Sequence, residues 1–196
     1  AKYTGIDLWT VPAHYPSPVY RMPTALRLAY NKAAIAVGIA KGALEVFADI
    51  AKNKIPMLTS ASLANRGIAQ YRMGVAEATY RASRAWLMES MTAVEDELTG
   101  NSDLPGAKTT QDARLACTHA ANECMKVVDL LHNTAGTTGM RTFSPLERKL
   151  RDSHGAATHR WVAHPLYEDL GKILLGIEPG AEFAGGTGAP VLPAPK

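Results

Sequence analysis

Apolar residues recur along most of this chain at alternating intervals of three and four, the repeat of a helix with one buried face. From Thr24 to Asn53 they fall at Leu28, Ile35, Ile39, Val46 and Ile50, which predicts a first long helix. A connection around Pro56 follows, and Ser60 or Ser62 is placed to cap a second helix by accepting from its free amides. The stripe of that second helix is the clearest in the chain: Ala69, Met73, Ala76, Tyr80, Ser83, Leu87, Val94 and Leu98. Antiparallel helices pack along such a line. Asn101, Asp103 and Pro105, between Gly100 and Gly106, read as a turn, with Thr109 or Thr110 as the next cap. A third helix then buries Ala113, Cys117, Ala120, Cys124, Val127, Val128 and Leu131 and ends around Ala135 and Gly136.

A fourth helix opens at Ser144-Pro145, where serine caps and proline takes the first helical position. Pro165 is expected to kink or interrupt it, because proline lacks the amide donor and its ring crowds the preceding turn. Residues 166–175 make a last apolar-faced helix stopped by Gly176. Pro12, Pro16, Pro18 and Pro23 disfavour helix in residues 1–22, which read as an extended arm. Residues 177–196, rich in Gly, Ala and Pro, read as a flexible tail. With no strand pattern, the expected fold is all-α: an up-and-down four-helix bundle of long helices over residues 23–176. The run from Ala33 to Ala40 is mostly small and lets a neighbour approach closely, so part of that face is expected to lie against another subunit.

Composition narrows the function classes. The 196 residues, 46% hydrophobic and 20% charged, suit one domain with a sizeable core. A net charge of +3, spread along amphipathic segments, lacks the concentrated basic stripe that nucleic acid requires. No run reaches the roughly 18 apolar residues of a membrane span, and the first residues lack a charged-then-apolar signal. A cytoplasmic location is the expectation. Cys117 and Cys124 share a helix side but stand about 10 Å apart along its axis, too far for a disulfide. Buried free thiols are expected.

Candidate chemistry concentrates after the turn Ala135-Gly136-Thr137-Thr138-Gly139, in the charged segment that carries His154 and His159. His154, His159 and His164 are spaced by five, about 140° around a helix, so they point apart and do not form a metal site. His119 and His132 read as satisfied histidines of a bundle. No nucleophile elbow or triad order is present. Gly136, Thr137 and Thr138 can present backbone amides to a phosphate or simply cap the helix. Arg66 and Gln70, one turn apart, can bind an anionic group or form a solvated face.

Taken in order, several short motifs resemble the C-terminal helical domain of the acyl-CoA dehydrogenase superfamily, type-2 branch, which includes flavin-dependent two-component monooxygenases. The similar features are Gly38-Ile39-Ala40-Lys41-Gly42-Ala43-Leu44, then Arg66 and Gln70 leading into Ala76-Glu77-Ala78 and Arg81-Ala82. Val128-Asp129-Leu130-Leu131 before Ala135-Gly136 comes next, followed by Ser144-Pro145-Leu146-Glu147-Arg148 with Arg151-Asp152, His154 and His159. The resemblance implies a bundle that packs on an N-terminal helical domain and a β-domain, holds FAD or FMN with them, and forms homo-oligomers. It implies Arg66 and Gln70 near the cofactor phosphates or adenosine of a neighbouring subunit, and Gly136, Thr137 and Thr138 beside the cofactor. It implies that the chain acts with separately encoded or proteolytically removed N-terminal and β domains.

The same resemblance separates two activities. Dehydrogenases of the family carry a glutamate base nine residues after the arginine of Arg-Asp, and counting from Arg151 reaches Arg160. A guanidinium cannot take a proton from the carbon beside a thioester. The implied activity is therefore hydroxylation of an aromatic or similar small substrate. His159 or His154 would assist substrate deprotonation or stabilise the oxygenated flavin. An acyl-CoA dehydrogenase-like component and a non-catalytic helical assembly module are the alternatives.

Overall fold

The computed structural model describes residues 17–100 and 104–178, and every described element is helical. The elements are α1 (Pro18–Arg21), α2 (Thr24–Asn53), α3 (Gly67–Thr99), α4 (Ala107–Ala135), α5 (Pro145–Ala157) and α6 (Leu166–Leu174), with 3-10 turns at Leu63–Asn65 and Gly136–Thr138. The three long helices appear within a few residues of where the periodicity puts them. Among the described residues no helix is long and apolar enough to cross a membrane.

Contacts at the ends set the directions. Lys54 Nζ donates to the Ala135 carbonyl at 2.6 Å, which joins the C-terminal ends of α2 and α4. The guanidinium of Arg72, near the start of α3, reaches Thr134 Oγ1 at the end of α4, and Arg21 donates to the Leu98 carbonyl at the end of α3. Thus α2 and α4 run the same way and α3 runs against both. α4 lies between them, and α5 packs on both α2 and α4. The core is built largely of alanine with a few larger side chains: Ala33, Ala36, Ala40 and Phe47 of α2, Leu87, Val94 and Leu98 of α3, and Cys117, Val128 and Leu131 of α4. Small side chains at these positions allow close helix approach, as the run from Ala33 to Ala40 anticipates.

Several helix ends differ from expectation. Neither Ser60 nor Ser62 caps α3; Leu63–Asn65 first makes a 3-10 turn, and Arg66 precedes the helix without a side-chain cap. α4 starts at Ala107, so Thr109 and Thr110 lie inside its first turn. The capping work passes to Glu97 of α3, whose carboxylate accepts from the Gly106 amide at 2.7 Å and from Thr109 Oγ1. A side chain from the preceding helix reaches the free amides because the turn is short, and these bonds hold its carboxyl below the usual carboxylate range. Ser144 caps α5 as anticipated, accepting from the Leu146 amide, with Pro145 at the first position.

α5 stops at Ala157, well before Pro165, which instead stands immediately ahead of α6. Successive turns bridge the gap, from His159 to Val162 and from Ala163 to Leu166. The fourth helix is therefore only 13 residues long. Gly176 ends the last helical segment with φ +72, a conformation that glycine adopts without strain. Residues 17–22 carry the helical turn α1 where an extended arm was expected; residues 1–16 and the tail from 179 onward lie outside the described residues.

Candidate functional site

The seven candidate residues fall into groups at different levels of the helix stack. Arg66 and Gln70 sit at the start of α3, and Gly136–Thr138 sits at the end of α4. The Arg72–Thr134 and Lys54–Ala135 contacts put both groups at the same end of the molecule. His159 lies elsewhere. Its loop packs on residues 114–122 of α4, about 20 to 30 Å along the axis from Ala135, and its charged neighbour is Lys32 near the start of α2. Within one chain the cofactor-side candidates and His159 do not converge.

At the first end, Arg66 is exposed, and Gln70 Nε2 donates back to the Ala64 carbonyl at 3.0 Å, leaving its Oε1 able to accept. Beside Gln70 is an apolar cavity of about 180 Å³ between α2 and α3, walled by Phe47, Ala51, Ala69 and Met73. Gly136 adopts φ +59, and a β-carbon there would stand 3.5 Å from Lys54 Nζ. The turn thus keeps its backbone open next to an ammonium group. Thr138 and Arg141 line an open groove with Lys54 and Phe143. The Arg66 and Arg141 guanidinium groups, the Lys54 ammonium and the Thr138 hydroxyl at one end form a donor set suited to phosphate or other anionic groups, while the Gln70 and Gly136 amides are bonded to the Ala64 and Asn133 carbonyls.

His154 is half exposed, and its Nε2 lies 2.8 Å from Asp129 Oδ1, which ties α5 to α4. His159 occupies the loop after α5. Its Nδ1 accepts from the Trp161 amide at 3.4 Å, so the neutral ring carries its proton on Nε2. Burial first, and the nearby Lys32 ammonium second, lower its pKa below the ordinary imidazole value. Both effects favour the neutral ring.

The loop is anchored by residues that the periodicity did not single out. Asn122, buried on α4, donates to the Val162 carbonyl at 2.9 Å and to the Thr118 carbonyl at 2.7 Å. Arg114, also buried, places its guanidinium carbon 5.7 Å from the Trp161 ring centre, and Arg160 lies 5.5 Å from the same ring. Burial pushes the Arg114 pKa down to about 10, partly offset by Cys117 and Asp169, so it stays charged at neutral pH. The available signal was a polar column, Arg114, Thr118 and Asn122 at intervals of four, beside the apolar stripe of the same helix.

The two thiols are buried and free, with burial raising each pKa to about 12, which makes them inert rather than nucleophilic. Among the described residues no group of three His, Cys, Asp or Glu side chains is gathered for a metal.

Fold and site together define an all-helical domain with cationic and hydroxyl donors at one end and a loop-borne imidazole well along α4 from it. Residues 30–164 match the family described as "Acyl-CoA dehydrogenase, C-terminal domain", and the chain belongs to that family. Among known proteins it is similar to the indole-3-acetate monooxygenase of Acinetobacter baumannii, 28% identical over 172 residues that cover 88% of this chain and 44% of that protein. It is also 29% identical over 169 residues to the oxygenase component of p-hydroxyphenylacetate 3-hydroxylase from the same species, covering 84% of this chain and 39% of the relative. XiaF from Streptomyces sp., solved with FADH2 and glycerol, shares the fold with a TM-score of 0.74 at 19% identity, over 83% of this chain and 41% of that one. The chain spans less than half the length of each.

Proposed function

We propose that this chain is the C-terminal helical part of a flavin-dependent monooxygenase that hydroxylates an aromatic or similar small substrate. It acts as a homo-oligomer with N-terminal helical and β domains, joined to it or separately encoded, and α2–α5 serve as an up-and-down four-helix bundle. The observation that carries the reading is the loop after α5, which presents the neutral His159 and has Arg160, not a carboxylate, where the family's dehydrogenases keep their base. The names of the two monooxygenase relatives support it, as does the FADH2 in the XiaF structure.

The residues present fit a flavin, since Gly136 leaves a turn without a β-carbon beside Lys54, and cationic and amide donors gather at the same end. Arg66 and Gln70 would hold its anionic portion, in a site completed by a neighbouring subunit, and the Gly136–Thr138 turn, whose Gly136 amide is already bonded to the Asn133 carbonyl, would lie beside it. When bound, the reduced cofactor supplies the activation of dioxygen. His159 would offer its Nε2 proton to an oxygen of the substrate or cofactor, and the Lys32 ammonium would favour negative charge there. Its other nitrogen already accepts from Trp161, so hydrogen-bond donation suits it better than proton abstraction. His154 contributes by holding α5 against Asp129. Exposed Ile68, Tyr71 and Val75 on α3 support assembly through that helix.

Mixing the purified chain with FAD and with FMN, oxidised and reduced, alone and with any co-purifying protein, and recording absorbance tests the reading. Bound flavin is expected once the N-terminal helical and β domains are supplied, and none in that complex overturns the reading. In a reconstituted complex hydroxylating a phenol, His159→Ala is expected to lower turnover more than flavin affinity; unchanged turnover removes His159 from the site.

A further inference from the structure

We infer that Asn122 is a positioning residue: its buried side-chain amide holds the turn from His159 to Val162 against α4 and so determines where His159 presents its ring. This rests on the reading of His159 given above and adds to it a residue on a different helix.

The Asn122 side chain is 1% exposed and Val162 is 0% exposed, so the bond between them is sealed from water. A buried loop carbonyl has no helix ladder to satisfy it and needs a donor from elsewhere. The Asn122 amide has two hydrogens, and both are engaged: one on Thr118 within α4, the other on Val162, 40 residues further along the chain. From Val162 the tether runs to the backbone of His159, and the adjacent Trp161 reaches its ring. The Val162 amide donates to the His159 carbonyl at 2.9 Å, and the Trp161 amide donates to the His159 ring. Trp161 supplies a second anchor through its stacking on Arg114, eight residues before Asn122 in the same buried column of α4. The charged groups around the turn are Lys32 of α2, Arg160 within the loop, Arg114 of α4, and Asp169 of α6 beyond Arg114. The ring's orientation among them depends on the turn staying docked. An apolar side chain at position 122 would fill the space but release the Val162 carbonyl.

The test compares Asn122→Leu, Asn122→Ser and the control Val127→Ala in the 196-residue chain. Val127 is buried on α4 and has no hydrogen bond to the loop through its side chain. NMR follows the His159 ring through a pH titration, and amide exchange is read at Trp161 and Val162. Both Asn122 variants are expected to speed exchange at these amides by about ten-fold or more and to move the His159 midpoint toward that of an ordinary imidazole. Val127→Ala lowers the melting temperature but leaves both readouts at their original values. The milder serine variant, whose short hydroxyl bonds back to Thr118 without reaching Val162, reads the effect if the leucine variant does not fold. Unchanged exchange and an unchanged midpoint in a folded Asn122 variant overturn the inference. None of these readouts involves flavin or turnover, so this failure is separate from failure of the proposed function.

Discussion

α3 and α4 are both long and rich in alanine, yet they live in different surroundings. α4 is buried around more than half of its circumference, against α2, α3 and α5, and it buries Arg114, Thr118 and Asn122 as well as its apolar stripe. α3 buries one narrow face, through Ala69, Ala76, Ser83, Leu87 and Val94, and leaves Ile68, Tyr71 and Val75 exposed. The alanines make the contrast plain. Ala113, Ala116, Ala120 and Ala121 of α4 are sealed, whereas Ala78, Ala82 and Ala85 of α3 face outward. Alanine is small enough to sit at a close helix contact and not apolar enough to demand burial, so its presence alone cannot say which helix is central.

Chemistry can be hidden only where a helix is enclosed. A helix with one buried face can place polar side chains only on the surface or among apolar neighbours. A helix enclosed on several sides has room for a buried polar column, and α4 uses its column to hold the loop that bears His159. α3 instead leaves its outer surface, with Ile68, Tyr71 and Val75, exposed.

The largest expected effect tests the enclosure of α4. Leu131→Ala, at a fully buried position, is expected to cost about 2 to 5 kcal/mol in urea unfolding; a cost under ~1 kcal/mol would mean that α4 is not the packed centre. Next in size is a pH effect at the loop docked on α4. The folded pKa of His159 lies below its unfolded value of about 6.5, so the unfolded chain binds the proton more readily. The associated stability is complete above that unfolded value and is lost as pH falls through the folded pKa. Unfolding curves at pH 7.5 and 5 are expected to show a smaller loss for His159→Gln than for the parent, and equal losses would remove His159 as the titrating group.

A smaller effect, of opposite sign, belongs to α3. The Ser83 hydroxyl is buried without a hydrogen-bond partner, so Ser83→Ala is expected to stabilise by up to about 1 kcal/mol, and a clear loss of stability would reveal a bond formed in solution. The smallest concerns the outer face: Tyr71→Ser is expected to change unfolding of the isolated chain by no more than about 0.5 kcal/mol, while weakening any self-association seen by sedimentation. A large unfolding cost with no effect on association would show that α3 is enclosed after all.

Much of the helix pattern was legible in the residues. Ser144-Pro145 marks the start of α5 and Gly136 the end of α4, because these residue types satisfy or relieve the free groups of a helix terminus locally. The start of α3 was not legible from Ser60 or Ser62, since Leu63 turns inward and is buried in a 3-10 turn first. The cap of α4 was missed for a related reason: its acceptor, Glu97, belongs to another helix. Of the candidate residues, Arg66, Gln70 and the Gly136 turn stand at one end of the molecule and His159 most of the length of α4 away, and nothing local in the sequence says so, because both placements depend on how the helices pack.

The helical character of the chain, the course of most helices and the residues chemically able to serve a site can be read from the order of residues alone. These follow from periodicity and from terminal residues, both governed by backbone geometry within a few positions. Only the tertiary structure decided that α4 is the enclosed helix, that Asn122 rather than an adjacent loop residue satisfies Val162, and that His159 keeps its proton on the nitrogen facing away from Trp161. Those outcomes depend on which surfaces meet. A buried carbonyl or imidazole takes whatever donor the packing brings within reach, and that donor can lie 40 residues away.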